Sequence, residues 1–128
     1  MLPPPAPQVR SISIEEMDFF EVPENRALIL EREGHRCFYC LHALTADSYV
    51  IEHVVSRPKG GNGYRNLVAG CRECNNKKNN SDVQAYLRVL YRESFLSAAE
   101  LEDRLLKLDR LKNGELKPSI EGRQEYIS

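Results

Sequence analysis

The spacing of apolar residues along the chain predicts three helices. Residues 24–33 are mostly strong helix formers, and apolar residues recur every three or four positions in 82–93 and in 94–114. Ser81 and Ser97 each stand three positions before a Gln or Glu, which is the pattern of a capping box. The apolar faces of the last two helices are expected to pack within the chain, with the seam of a homodimer through these C-terminal helices as the alternative.

Two segments between the first and second helix predict a pair of strands. Residues 48–55 are rich in β-branched and aromatic side chains, which are typical of a strand. Residues 66–69 resume apolar character and predict a short strand or a turn. Pro58 and the glycine-rich segment 60–63 predict a loop between the two, because both residue types interrupt regular structure.

The remaining segments complete the expected domain organisation. Residues 1–23 are expected to form a flexible Pro-rich arm and a loosely held lead-in, and residues 115–128 a poorly ordered tail. One principal domain is expected at 24–93, followed by a C-terminal helix at 94–114.

The composition argues against a membrane-spanning protein and favours a cytoplasmic one. No run of about 18 apolar residues is present, which excludes a membrane-spanning helix. The N-terminus has no basic stretch followed by an apolar one, so no secretory signal is predicted. We therefore expect a cytoplasmic protein without membrane partners.

The net charge of −1 conceals a basic segment at residues 53–81, which contains six Lys or Arg residues and a single Glu. Local positive charge suits phosphate binding, although a solvated loop explains it equally well.

The four cysteines form two C-x2-C pairs separated by 30 residues. Each pair places two thiolates on one tight turn, and two such turns can complete a tetrahedral zinc site. Disulfides are less suited to a chain without a secretory signal. We therefore predict one structural Zn²⁺ bound by Cys37, Cys40, Cys71 and Cys74.

A further pattern lies in and around the basic segment. In chain order it consists of Glu52-His53, Gly60-Gly61, Asn66-Leu67 and Cys71-x-x-Cys74-Asn75-x-x-Lys78. From about Arg26 to Asp82, the sequence resembles the HNH endonuclease family. The resemblance implies an α+β fold with a small ββα-metal core held together by the four-cysteine zinc site and flanked by an N-terminal helix and C-terminal helices. The HNH nuclease domain would then occupy residues 24–93.

Phosphodiester hydrolysis requires an activated water and a cation that neutralises developing charge. His53 is the natural general base, because neutral imidazole accepts a proton near neutral pH. The resemblance implies that Glu52 and Asn75 bind a catalytic Mg²⁺ or Mn²⁺, and that Asn66 bonds backbone across the loop and orients His53. In a regular strand Glu52 and His53 would face opposite sides, so a strand end or a bulge must bring them to one site.

The resemblance makes a metal-dependent DNA endonuclease the leading hypothesis. Residues of the basic segment expected to contact nucleic acid are Arg57, Lys59, Arg65, Lys77 and Lys78. Two alternatives share the cysteines: a non-catalytic four-cysteine zinc module that binds nucleic acid, or one that binds a protein partner through the C-terminal helices. The first alternative gives no reason for Glu52, His53 and Asn75 together, and the second leaves the basic segment without a role.

Overall fold

The computed structural model describes residues 10, 11, 13–120, 126 and 127. Its helices are α1 (Pro23–Arg32), α2 (Arg72–Lys78), α3 (Val83–Arg92) and α4 (Ala98–Lys112). Its strands are β1 (Arg10–Ser11), β2 (Tyr49–His53), β3 (Leu67–Cys71) and β4 (Tyr126–Ile127). The class is α+β, as predicted. In the part of the chain that the structure describes, no helix is both long enough and apolar enough to cross a membrane.

The centre of the fold is the antiparallel hairpin of β2 and β3. The two strands pair in regular register from Tyr49 opposite Cys71 to His53 opposite Leu67. The side chains of Leu67, Val68 and Ala69 are fully buried, which explains the continuous apolar run in β3. Helix α2 follows β3 directly and packs on both strands. Hairpin and helix together form the small ββα unit that the sequence predicted.

Local signals fix most helix ends. Gly34 has a φ of +66°, the left-handed conformation expected just after α1. Ser97 and Glu100 form the predicted capping box at the start of α4. The capping role predicted for Ser81 is wrong. Helix α3 begins at Val83, so the carboxylate of Asp82 accepts from the N–H of Ala85, while the Ser81 hydroxyl donates to the last turn of α2.

Helices α3 and α4 pack against each other, and α4 also contacts the helical turn at Tyr64–Asn66. Leu87 and Leu90 of α3 and Leu108 and Leu111 of α4 are each at most 3% exposed. The buried Arg104 of α4 also donates to the backbone oxygen of Phe38, beside the first cysteine pair. Packing within the chain is therefore confirmed for these apolar faces, and the homodimer seam gains no support from the residues that are described.

Residues 13–23 and 115–120 make contacts with the core that the sequence did not predict. Met17 and Phe19 are buried, and the Phe19 ring meets Tyr64 edge-on with centroids 6.3 Å apart. Pro118 is buried, and the backbone of Leu116 accepts a hydrogen bond from Arg32 of α1. These contacts hold Met17, Phe19, Leu116 and Pro118 against the rest of the fold, and the predicted domain bounds stay a prediction. The Pro-rich arm at 1–9, residue 12, and residues 121–125 and 128 lie outside the described residues.

Replacing Phe19 by alanine tests whether this lead-in belongs to the core. We expect Phe19→Ala to lower the free energy of unfolding by about 3 kcal/mol, because a fully buried ring is lost and a cavity remains. Phe95→Ala is the matched control, since Phe95 is 51% exposed, and it should cost less than about 1 kcal/mol. Chemical denaturation measures both. If Phe19→Ala lowered the free energy of unfolding no more than the control does, residues 13–23 would add little to the core.

Candidate active site and metal centre

Four sulfur atoms meet where the first cysteine pair approaches the end of β3 and the start of α2. The Sγ atoms of Cys37, Cys40, Cys71 and Cys74 all lie within 4.8 Å of one another, and those of Cys40 and Cys71 are 3.9 Å apart. Four Zn–S bonds of about 2.3 Å in a tetrahedron require sulfurs about 3.8 Å apart. All four cysteines are free of disulfides, so the cluster fits one zinc ion.

Backbone donors around the cluster favour negatively charged sulfur. The N–H of Cys71 donates to Cys37 Sγ over 3.4 Å, and that of Cys74 to Cys71 Sγ over 3.3 Å. The thiols also act on one another: contacts with Cys37 and Cys74 lower the pKa of Cys40 to about 4, whereas contacts with Cys37 and Cys40 raise the pKa of Cys74. Thiolates are the form that binds zinc. With four sulfur ligands no coordination position is left for a substrate, so such a zinc is structural.

Glu52 is an unusual buried carboxylate in the hairpin. It is only 8% exposed and lies near Tyr39 and Lys78. Burial raises the pKa of Glu52, although the nearby Tyr39 hydroxyl and the charge of Lys78 act in the opposite direction. Its Oε2 atom is buried without a hydrogen-bond partner. A carboxylate oxygen left free in this way fits a divalent cation, which would compensate the cost of burying the charge.

His53 is the last residue of β2, and its side chain contacts the loop between the two strands and the lead-in segment. Its Nε2 lies 2.8 Å from Oδ1 of Asn62 in the loop between the strands. The ring of Phe20, from the lead-in segment, packs on the imidazole with centroids 4.3 Å apart. Asn62 in turn donates from Nδ2 to the carboxylate of Asp18 over 3.1 Å. The imidazole therefore has a defined orientation.

Asn66 ties the two ends of the loop between the strands together. Its Oδ1 accepts from the N–H of Val55, and its Nδ2 donates to the backbone oxygens of Val55 and Gly61, over 2.8, 2.9 and 3.0 Å respectively. Gly60 is required here, because a Cβ at this position would lie 1.9 Å from the Val55 oxygen. The backbone bonds expected of Asn66 are thus present, and any effect on His53 is transmitted through the loop.

Glu52 and His53 face opposite sides of the hairpin, because the pairing is regular through both residues. Glu52 faces α2, where Asn75 is half-buried directly after Cys74 and Lys78 is buried one turn later. His53 faces the lead-in and the loop. The sequence predicted that a bulge or a strand end would bring Glu52 and His53 to one site. The regular pairing shows no bulge, but β2 does end at His53.

The five basic residues expected to contact nucleic acid have different surroundings. Lys59 is exposed, whereas Lys78 is buried near Glu52. The other three form exposed ion pairs, with distances of 2.6 Å for Arg65 and Glu15, 3.1 Å for Lys77 and Glu73, and 3.6 Å for Arg57 and Glu21. Exposed pairs contribute at most about 1 kcal/mol, so a phosphate can compete for these cations.

Sequence reasoning missed the residues that surround His53. Asp18 and Phe20 precede the HNH-like pattern by more than 30 positions, and no spacing rule links them to it. Asn62 stands within a Gly-Gly-Asn-Gly run, where an asparagine is expected as a turn former. Asp18 stands between Met17 and Phe19, so its neighbours gave no signal of a role beside His53.

Two comparisons with known proteins found similarities. A family model described as HNH endonuclease matches residues 37–81. Among solved structures, the chain is similar to the crystal structure of the Type II-C Cas9 enzyme from Actinomyces naeslundii, at 24% sequence identity and a TM-score of 0.49, over 71% of this chain and 10% of that chain. The matched part of the chain thus spans about a tenth of that enzyme's length. A search of curated proteins found no match.

The family match covers both zinc-site pairs, the hairpin and α2. It therefore includes the ββα unit and the four clustered cysteines, and it supports a nuclease-type function. Residues 37–81 thus match the HNH endonuclease family model, in agreement with the resemblance seen in the sequence.

Proposed function

We propose that this protein is a metal-dependent endonuclease that hydrolyses phosphodiester bonds in DNA. The observation that carries the proposal is Glu52, a buried carboxylate with an unpartnered oxygen facing the helix of an HNH domain. A structural ββα zinc module has no use for a buried carboxylate beside its zinc site. A hydrolase that positions a divalent cation needs such a carboxylate as a ligand.

The proposed roles follow from where each side chain lies. Glu52 and Asn75 would hold a Mg²⁺ or Mn²⁺ ion through a carboxylate and an amide oxygen, ligands that suit these metals. Such an ion supplies neutralisation of the charge that develops on the phosphate and the leaving oxygen. His53 accepts the proton of the attacking water. Asn66 keeps the loop closed beside it, and Lys78 adds positive charge near Glu52.

Cleavage of supercoiled plasmid DNA at increasing Mg²⁺ concentration tests the proposal. The zinc-loaded protein should be freed of other metals by gel filtration, and its zinc content measured before and after the assay. We expect cleavage to depend on added Mg²⁺ or Mn²⁺ while the zinc content stays near one per chain. His53→Ala prepared in parallel excludes a contaminating nuclease, because a contaminant would survive the substitution.

A fully zinc-loaded protein that binds DNA but never cleaves it would contradict the proposal. That outcome would favour the non-catalytic four-cysteine module instead. A protein that neither cleaves nor binds DNA would favour the module that binds a protein partner.

DNA binding should be sensitive to salt and depend on the exposed part of the basic segment. Replacing Arg57 and Lys59 by alanine should reduce the slope of log K against log salt by about two, one for each lost phosphate contact. Arg88→Ala with Arg92→Ala is the matched control, since it removes the same charge from exposed positions of α3. Fluorescence anisotropy over a salt series measures the slopes. If only the control pair lowered the slope, DNA would bind the α3 face.

A further inference from the structure

We propose that Asp18 and Asn62 are positioning residues that fix His53 in the tautomer with its proton on Nε2, so that Nδ1 is the basic nitrogen. The proposal rests on the proposed function of His53 as general base and deepens it. Asp18 lies outside the matched HNH domain, so the lead-in segment would belong to the active site.

The charge of Asp18 determines which atom donates and which accepts in the hydrogen bonds that join Asp18, Asn62 and His53. Its Oδ1 accepts from the backbone N–H groups of Phe20 and Glu21 over 2.7 and 2.8 Å. Burial raises the pKa of Asp18, but these two bonds and the one from Asn62 outweigh it, and the pKa is lowered overall. An ionised carboxylate only accepts hydrogen bonds. The Asn62 group that faces Asp18 must therefore be the NH₂ group.

The amide of Asn62 transmits this constraint to His53. With its NH₂ group donating to Asp18 over 3.1 Å, its Oδ1 is the atom that lies 2.8 Å from His53 Nε2. A carbonyl oxygen can only accept, so Nε2 must carry the proton. In neutral imidazole the other nitrogen then holds the lone pair. Nδ1 is left as the nitrogen that can take a proton from water.

Two further contacts make the arrangement rigid. The backbone oxygen of Asn62 accepts from the N–H of Phe19 over 2.9 Å, which holds the loop against the lead-in. The Phe20 ring covers one face of the imidazole. Phe19 itself is fully buried. The segment that carries Asp18 is therefore held by the core as well as by the loop. The tautomer is thus set by residues that the core holds in place.

Asp18→Asn should invert the tautomer rather than merely loosen it. An asparagine at 18 can keep Oδ1 on the backbone N–H groups of Phe20 and Glu21, which turns its NH₂ group towards Asn62. The amide of Asn62 must then rotate and present its own NH₂ group to His53. Nε2 becomes an acceptor, and the proton moves to Nδ1.

The test is ¹⁵N NMR of protein with labelled histidine at about pH 8.5, roughly two units above the usual histidine pKa. The His53 signals are assigned by their loss in His53→Ala, since the chain contains three histidines. We expect the parent to show protonated Nε2, Asp18→Asn to show protonated Nδ1, and Asn62→Ala to show a mixture. Cleavage by Asp18→Asn should fall by roughly 10–100-fold with DNA affinity unchanged, because the general base is lost in part.

Glu21→Gln is the matched control, because it removes one charge from the same turn at an exposed side chain that makes no bond to Asn62. It should leave the tautomer as in the parent. A parent with protonated Nδ1, or an Asp18→Asn protein with an unchanged tautomer, would overturn the proposal. If Asp18→Asn does not fold, the parent and Asn62→Ala still decide it. An inactive parent contradicts the proposed function, whereas the tautomer is measured independently of activity.

Discussion

Cys71→Ser is expected to lose bound zinc and with it the cooperative unfolding transition of the domain. Cys71 sits at the junction of β3 and α2, where its sulfur belongs to the four-cysteine cluster and also accepts from the N–H of Cys74. Zinc contributes about 10–16 kcal/mol of binding free energy at sites of this kind, which matches or exceeds the typical stability of a whole domain. A hydroxyl in place of one thiolate removes most of that contribution.

The measurement pairs zinc content by mass spectrometry with thermal unfolding followed by circular dichroism. His42→Ala is the matched control, because His42 lies beside the cysteine cluster but is exposed and outside it. It should keep about one zinc per chain and an unchanged transition. A Cys71→Ser protein that unfolds cooperatively with a full zinc content would refute the zinc site.

The elements that the sequence predicted well are those specified by local chemistry. The capping box at Ser97, the left-handed Gly34 and the β-branched run of β2 each depend on neighbours within a few residues. Ser81 shows the limit of such signals. Two capping residues stand side by side at 81 and 82, and which one caps the helix depends on where α2 ends, a matter of tertiary packing.

The lead-in was misjudged for a related reason. Phe19 is buried only because Tyr64 lies opposite, 45 positions later in the chain. Among flanking acidic residues and without helical or strand periodicity, two adjacent aromatic rings do not signal which of them is buried. The same long-range contact carries Asp18 and Phe20 to His53. The candidate metal ligands were accessible through the family pattern, whereas the residues that surround the candidate base depend on this packing.

His53→Ala is expected to reduce cleavage by about 10²–10⁴-fold, the usual contribution of a positioned general base. Folding and zinc content should be almost unchanged, because His53 is only partly buried at the end of β2 and lies outside the cysteine cluster. DNA affinity should also be retained, since phosphate contacts come from Lys and Arg side chains. Plasmid cleavage at saturating Mg²⁺, with zinc analysis and anisotropy as checks, measures all three.

The proposed metal ligands should respond differently from the base. Glu52→Gln keeps the shape of a buried side chain but removes its charge, and Asn75→Ala removes an amide oxygen on the half-buried face of α2. Each should raise the Mg²⁺ concentration for half-maximal cleavage by roughly tenfold or more, because one direct ligand is weakened or lost. His53→Ala should leave that concentration unchanged while lowering the maximal rate. If Glu52→Gln and His53→Ala shared the same Mg²⁺ dependence, the division of roles between the two faces of the hairpin would be wrong.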